Sequence, residues 1–152
     1  RAAPGTGVAR LLGEGATMKA ISLTQPWATL IAIGSKQVET RSWKTPYRGP
    51  IAIHAAKAYP AAARKFASEQ FTLGRLPERL PFGAVIATAR LVAIQPTEVA
   101  RYDITALERL YGDYSSGRWA WFLTDVESLT EPIPAKGRLG LWEWDNTQEA
   151  VP

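Results

Sequence analysis

Between Lys36 and Trp43 the chain reads KQVETRSW, a stretch in which alternate residues carry chemistry. If the segment is extended, residues two apart sit roughly 6.6 Å apart on one side. Glu39, Arg41 and Trp43 then form a row of carboxylate, guanidinium and indole, with Lys36 at the turn that enters it. Such a row offers an acid or base, an anion clamp and a stacking platform. The same pattern also fits an ordinary solvated sheet face, on which a Glu39–Arg41 pair contributes little. Downstream, KTPYRGP adds Tyr47 and Arg48, and IAIHAAK ends an apolar run in His54 and Lys57. Trp43 or Tyr47 suits stacking on a base, while Arg48 and Lys57 suit phosphate contacts. Helix-start amides near Gln25 and Trp27 would add anion-binding donors. His54, the chain's one histidine, reads more naturally as a hydrogen-bonded structural residue than as a catalyst.

Several other chemistries are excluded. There is no cysteine and only one histidine, so neither a disulfide framework nor a thiolate or polyhistidine metal site can form. No metal or other cofactor is expected. Gly112 to Gly117 imitates a phosphate-binding loop, but it lacks the Lys and Ser/Thr and precedes a strand. No GxSxG elbow is present, and a serine triad would have to use His54 without any motif to support it.

The elements that must position these residues follow from periodicity. Lys19 to Leu23 reads as a strand, followed by a helix of about two turns that Thr24 or Gln25 caps, with Pro26 in its first turn and Gly34 as its stop. Helical phase places Trp27, Leu30 and Ile31 together on a core-facing side. Val38 and Thr40 alternate against the charged row, and Ile51 to Ala56 is apolar enough to be buried on both faces. Tyr59 to Phe71 is alanine-rich and helical, Gly74 to Pro81 a loop, and Gly83 to Ile94 a long central strand. Thr97 to Tyr102 and Asp103 to Tyr111 give short helices, the second capped by Asp103, with Leu107 and Leu110 inward and Glu108 and Arg109 in water. Arg118 to Val126 and Leu139 to Trp144 complete the strands, and Trp119, Trp121, Trp142 and Trp144 are assigned to the core. Five to seven strands mixed with short helices, without regular alternation, predict a small α+β domain on a mostly antiparallel sheet or barrel.

The 152 residues suffice for one domain with a substantial core. At 46% hydrophobic and 21% charged, and with no apolar run long enough to cross a bilayer, the chain fits no membrane-inserted class. The absence of cysteine fits a reducing compartment, cytoplasmic or, in a eukaryote, nuclear. A net charge of +4 suits a polyanionic partner. Residues 1–17 are expected to be an upstream extension or an expression remnant, 18–145 the domain, and 146–152 a C-terminal tail.

Taken together, QPWA, GSKQVETRSW, TPYRGPIAIHAAK and PIPAKGRLGLWEWD resemble the ASCH domain, the activating-signal-cointegrator homology family of PUA-like folds. The likeness runs from Lys19 to Asp145 and centres on G-x-K-x-x-E-x-R, here Gly34, Lys36, Glu39 and Arg41. It implies a PUA-like, mostly antiparallel β-barrel flanked by short α-helices, with a basic cleft for RNA or other nucleic acid. Some small bacterial members hydrolyse N4-acetylcytidine with a Lys, a Thr and a Glu, and others are described as ribonucleases. Lys36 matches that Lys, but Glu39 stands where those amidohydrolases have Thr, and the motif places no match for their Glu.

Three functions are consistent with these features. The first is a domain binding RNA, DNA or a modified nucleoside, with Lys36, Arg41, Arg48 and Lys57 on anionic groups and Trp43 or Tyr47 stacked on a base. The second is a hydrolase acting on RNA or a modified nucleoside. There Lys36, partly buried, is the general base, Glu39 orients it or relays the proton, and Arg41 or Lys57 stabilises the oxyanion. The third is a protein-interaction module.

Overall fold

The computed structural model describes residues 17–145. The expected tail, and all of the expected extension but Thr17, lie outside these residues. In chain order the elements are β1 (Met18–Leu23), α1 (Trp27–Ala32), β2 (Val38–Arg41), β3 (Gly49–Ala55), α2 (Ala61–Ala67), α3 (Gln70–Leu73), β4 (Ala84–Pro96), α4 (Thr97–Ala100), α5 (Ala106–Leu110), β5 (Trp119–Pro134) and β6 (Leu141–Trp144). They form an α+β domain on one six-stranded sheet of order β2-β5-β4-β3-β1-β6. Only β1 and β3 pair in parallel, with Ser22 opposite His54; the other pairings are antiparallel.

The expected barrel is not formed, because β2 and β6 remain edge strands that do not pair with each other. Both are four residues long. The β4–β5 pairing carries three register shifts, and each bulge bends the strand that carries it.

The sheet buries both faces. On one, Ile21, Leu23, Ile51, Ile53, Leu91 and Trp121 pack with Ala28, Ile31 and Ala32 of α1. On the other, Met18, Ala20, Ala52 and Val85 pack with Ala135, Trp142 and Trp144. The apolar run of β3 therefore serves two cores, as a strand covered on both sides must.

The short helices depart from their expected layout. The helix expected over Tyr59 to Phe71 divides into α2 and α3 where the Ser68 hydroxyl donates to the Lys65 carbonyl at 2.6 Å, a local bond that competes with helix continuation. Thr105, not Asp103, caps α5 by accepting from the Glu108 amide at 3.0 Å. The orientation of α5 departs from expectation at two positions, Glu108, which is buried, and Leu110, which is 54% exposed, while Leu107 is half-buried and Arg109 is exposed as expected. Trp27 likewise does not enter the core. It opens a six-residue helix and stacks on Phe66 of α2, with ring centroids 5.0 Å apart.

Candidate functional site

The chain leaves α1 through Gly34, whose φ of +85° lies where residues with a Cβ are strained. The turn is closed by the Lys36 amide donating to Leu30 O at 3.0 Å. It folds the Lys36 side chain inward until the residue is fully buried. There Nζ donates to Val38 O at 2.5 Å and to Tyr111 O at 3.1 Å. It lies 3.8 Å from Glu39 Oε1 and 3.7 Å from Glu108 Oε2. A buried ammonium needs both hydrogen-bond acceptors and countercharge, and this one has two carbonyls and two carboxylates.

Glu108 supplies the second carboxylate. Its Oε1 accepts from the Gln37 amide at 2.7 Å. Burial pushes its carboxyl pKa above the ordinary value, against the opposing pull of that amide and of Lys36. Nearby, burial strongly raises the pKa of the Tyr114 phenol, and the charges of Glu108 and Glu39 add to the effect.

Above this buried layer, the outward side chains of β2 line a cleft of about 360 Å³. Glu39 and Arg41 form one wall and are joined by an ion pair of 3.1 Å. Trp27, Phe66 and Tyr111 form an aromatic wall, in which Phe66 meets Tyr111 edge-on at 6.1 Å. Thr24, Thr40, Leu110, Gly112 and Asp113 complete the lining. A Cβ on Gly112 would lie 2.8 Å from the Tyr114 ring and 3.1 Å from Thr40, so glycine lets this loop close on β2. The Asp113 amide then donates to Thr40 Oγ1 at 3.0 Å. Two hydrogen bonds from Ser115 hold the Asp113 carboxyl below its usual pKa, and Arg118 assists. With Glu39, Asp113 and Arg41 on its walls, the cleft has more carboxylates than cations.

The residues singled out in the sequence therefore fall into separate places. Glu39 and Arg41 share the cleft, and Lys36 lies beneath it. Trp43 packs edge-on against Trp121 at 4.9 Å, its carbonyl accepts from the Trp121 indole at 3.2 Å, and the Arg41 guanidinium lies 5.7 Å from its ring. Tyr47 is half-buried and donates to Pro50 O at 2.5 Å, and burial raises the pKa of its phenol. Arg48 turns back on its own loop, donating to the carbonyls of Thr45 and Tyr47 at 2.8 Å each. His54 and Lys57 line a different cavity. Gln25 is buried and braces α1, accepting from the Thr29 amide at 2.9 Å and donating to Pro81 O at 2.8 Å.

Sequence reasoning missed Glu108, Tyr111 and the aromatic wall of Trp27 and Phe66. The available signal was Lys36 itself, since a lysine enclosed by apolar elements requires a carboxylate partner. Among the described residues, no three metal-ligating side chains converge. No described helix is long and apolar enough to cross a membrane.

The family model for the ASCH domain matches residues 21–133. Human activating signal cointegrator 1 is 26% identical over 133 residues, which is 83% of this chain and 22% of the relative. The mouse protein of the same name is 24% identical over 132 residues, with the same coverage. The chain thus corresponds to about a fifth of the length of these curated relatives. Among solved structures, ASCH from Zymomonas mobilis superposes with a TM-score of 0.54 at 22% identity, covering 88% of this chain and 93% of that one. A single-residue variant of that protein gives 0.53 at 21%, covering 88% and 96%. These likenesses support the fold.

Proposed function

The chain belongs to the ASCH domain family, and on that premise we propose that it binds nucleic acid, RNA foremost, or a modified nucleoside, taking one base into the cleft between β2 and α1. The observation that carries this reading is the pairing of Glu39 and Arg41 on one wall with the stacked Trp27–Phe66 pair on another. A base presents a flat face and an edge of donors and acceptors. The aromatic wall meets the face. Glu39 accepts from an exocyclic amine, and Arg41 donates to a ring nitrogen or carbonyl. The carboxylate excess suits the base and not the phosphate. Lys36 serves from below, holding Glu39 and the β2 backbone in place.

Calorimetric titration with cytidine, N4-acetylcytidine and uridine tests this reading. Arg41→Ala is expected to weaken nucleoside binding by about tenfold or more, the loss of one charge-assisted hydrogen bond of about 1.5–3 kcal/mol. Unchanged affinity would remove the cleft from base recognition.

A hydrolytic reading draws on a separate observation: one buried ammonium touches two carboxylates, and one of these, Glu39, faces the cleft. Glu39 would take a proton from water as the water oxygen bonds to an acyl carbon. Arg41 would stabilise the oxyanion, and the proton would leave with the departing amine as the carbon–nitrogen bond breaks. Release of cytidine and acetate from N4-acetylcytidine is then expected in the parent protein and lost in Glu39→Gln. Turnover that survives this change would place the chemistry elsewhere or in a contaminant.

A further inference from the structure

We propose that the chain carries a second ligand site, a basic groove beyond the ends of β1 and β3, that binds the phosphates of single-stranded nucleic acid. It is separate from the cleft, and its binding does not require that the cleft take a base. The groove encloses about 810 Å³. Its lining contains three cations, Lys57, Lys136 and Arg138, and no carboxylate. All three are exposed, and none forms an ion pair among the described residues. Outside the groove some cations meet carboxylates, as Lys19 does Glu143 and Arg118 does Asp113, and others such as Arg64 and Lys65 form no ion pair among the described residues; what sets the groove apart is that three cations and no carboxylate share one lining. The groove is thus a place where unneutralised positive charge is concentrated.

Its floor is built. The Trp142 indole donates to Ser22 Oγ at 3.1 Å, Ser22 Oγ lies 3.0 Å from His54 Nδ1, and His54 Nε2 lies 2.7 Å from Ala135 O. A carbonyl only accepts, so Nε2 carries the hydrogen and donates to Ala135 O. Ser22 alternates with Ile21 and Leu23, which places this chain of bonds on the sheet face of Met18, Ala20 and Trp142, away from α1. Gly137 lies directly on it: a Cβ there would stand 2.7 Å from His54 Cε1 and 2.8 Å from Ser22 Oγ. Glycine at this position lets the backbone settle on the floor, with Lys136 and Arg138 on either side.

The remaining walls are apolar. Phe82 is 38% exposed and packs against Tyr59 with centroids 5.0 Å apart, and Leu139 is 99% exposed. Cations beside exposed apolar and aromatic side chains are the surface an unpaired strand requires. Its phosphates meet the cations, and its freed bases lie on the apolar wall. A duplex would offer the phosphates while keeping its base faces stacked, so the observations favour the single strand.

The test is fluorescence anisotropy of the full chain with a labelled single-stranded RNA twelve-mer across a salt series. Paired Lys136→Ala and Arg138→Ala changes are expected to lower affinity by about tenfold near 100 mM salt. They should also reduce the steepness of log K against log salt by about 1.4, roughly 0.7 for each phosphate no longer neutralised. Both side chains are exposed, and an unchanged melting temperature verifies the fold. Nucleoside binding should be unaffected in this variant, whereas Arg41→Ala should lose nucleoside binding and retain the salt slope, so the two sites fail separately. Wild-type affinity and slope in the double variant, or no RNA binding by the parent, would overturn the proposal. So would equal competition by a duplex of the same sequence, or by poly-glutamate, which would assign the groove to duplex or to an acidic protein surface.

Discussion

The cleft beside β2 and the groove beyond β3 place charge in opposite ways. Beneath the cleft the cation Lys36 is buried and held by two carbonyls and two carboxylates. In the groove the buried layer is a run of hydrogen bonds from Trp142 through Ser22 and His54 to Ala135, and the cations stand in solvent above it. A buried charge fixes geometry and makes stability depend on its partners. Exposed cations fix little, but they act on a polyanion in a way that salt can screen. The difference predicts that the cleft is the costlier of the two regions to mutate, and that the groove is the more sensitive to ionic strength.

The largest effect is expected at Lys36. Lys36→Met removes the countercharge of Glu108 and leaves the carbonyls of Val38 and Tyr111 without this donor. Breaking a buried pair from one side costs about 3–5 kcal/mol, so urea denaturation should show a large drop in midpoint. Lys57→Met in the groove should change stability by less than about 0.5 kcal/mol, as expected of an exposed position. Equal effects of the two substitutions would erase the distinction between the regions.

Gly137→Ala should have an intermediate effect, because it strikes the floor of the groove. The added methyl must displace the loop or His54, an overpacking cost of about 1–3 kcal/mol. It should also weaken RNA binding by moving Lys136 and Arg138, while leaving nucleoside binding at the cleft intact. A stability loss without any change in RNA affinity would mean that the loop's position is irrelevant to the groove.

The parts of this architecture that were legible in the sequence are those with enough periods to read. Val38 to Arg41 alternates buried and half-buried as its side chains do, and the apolar run of β3 is covered on both faces. The single turn of α5 could not be phased. Its two leucines argued for an inward face, but the need to neutralise Lys36 decided the orientation and brought Glu108 in. Long-range placement was also out of reach. Lys36, Arg41 and Lys57 are close in the chain, and the motif by itself puts all three in one site. In the sheet, β5 and β4 lie between β2 and β3, a separation of roughly 14 Å at the usual strand spacing. The pairing that separates them comes from residues beyond position 83, with no local trace in the motif.

The smallest expected effect concerns protons. Glu108 has a raised carboxyl pKa, so just above the ordinary value of 4.5 the folded chain retains a proton that the unfolded chain has released. The contribution of this group to stability therefore falls as pH rises through that window and is level beyond it. Asp113 and Glu143 have lowered pKa values, so their contributions are present at neutral pH and are lost on acidification below the ordinary carboxylate range. The two classes act on opposite sides of about pH 4.5, which makes them separable. In urea titrations from pH 2 to 8, Glu108→Gln should remove the decline above 4.5 and leave the acid-side loss intact. Lys136→Ala and Arg138→Ala, which touch no buried carboxylate, should reproduce the parent profile. If Glu108→Gln also follows the parent profile, the decline above 4.5 does not come from the buried carboxylate beneath the cleft.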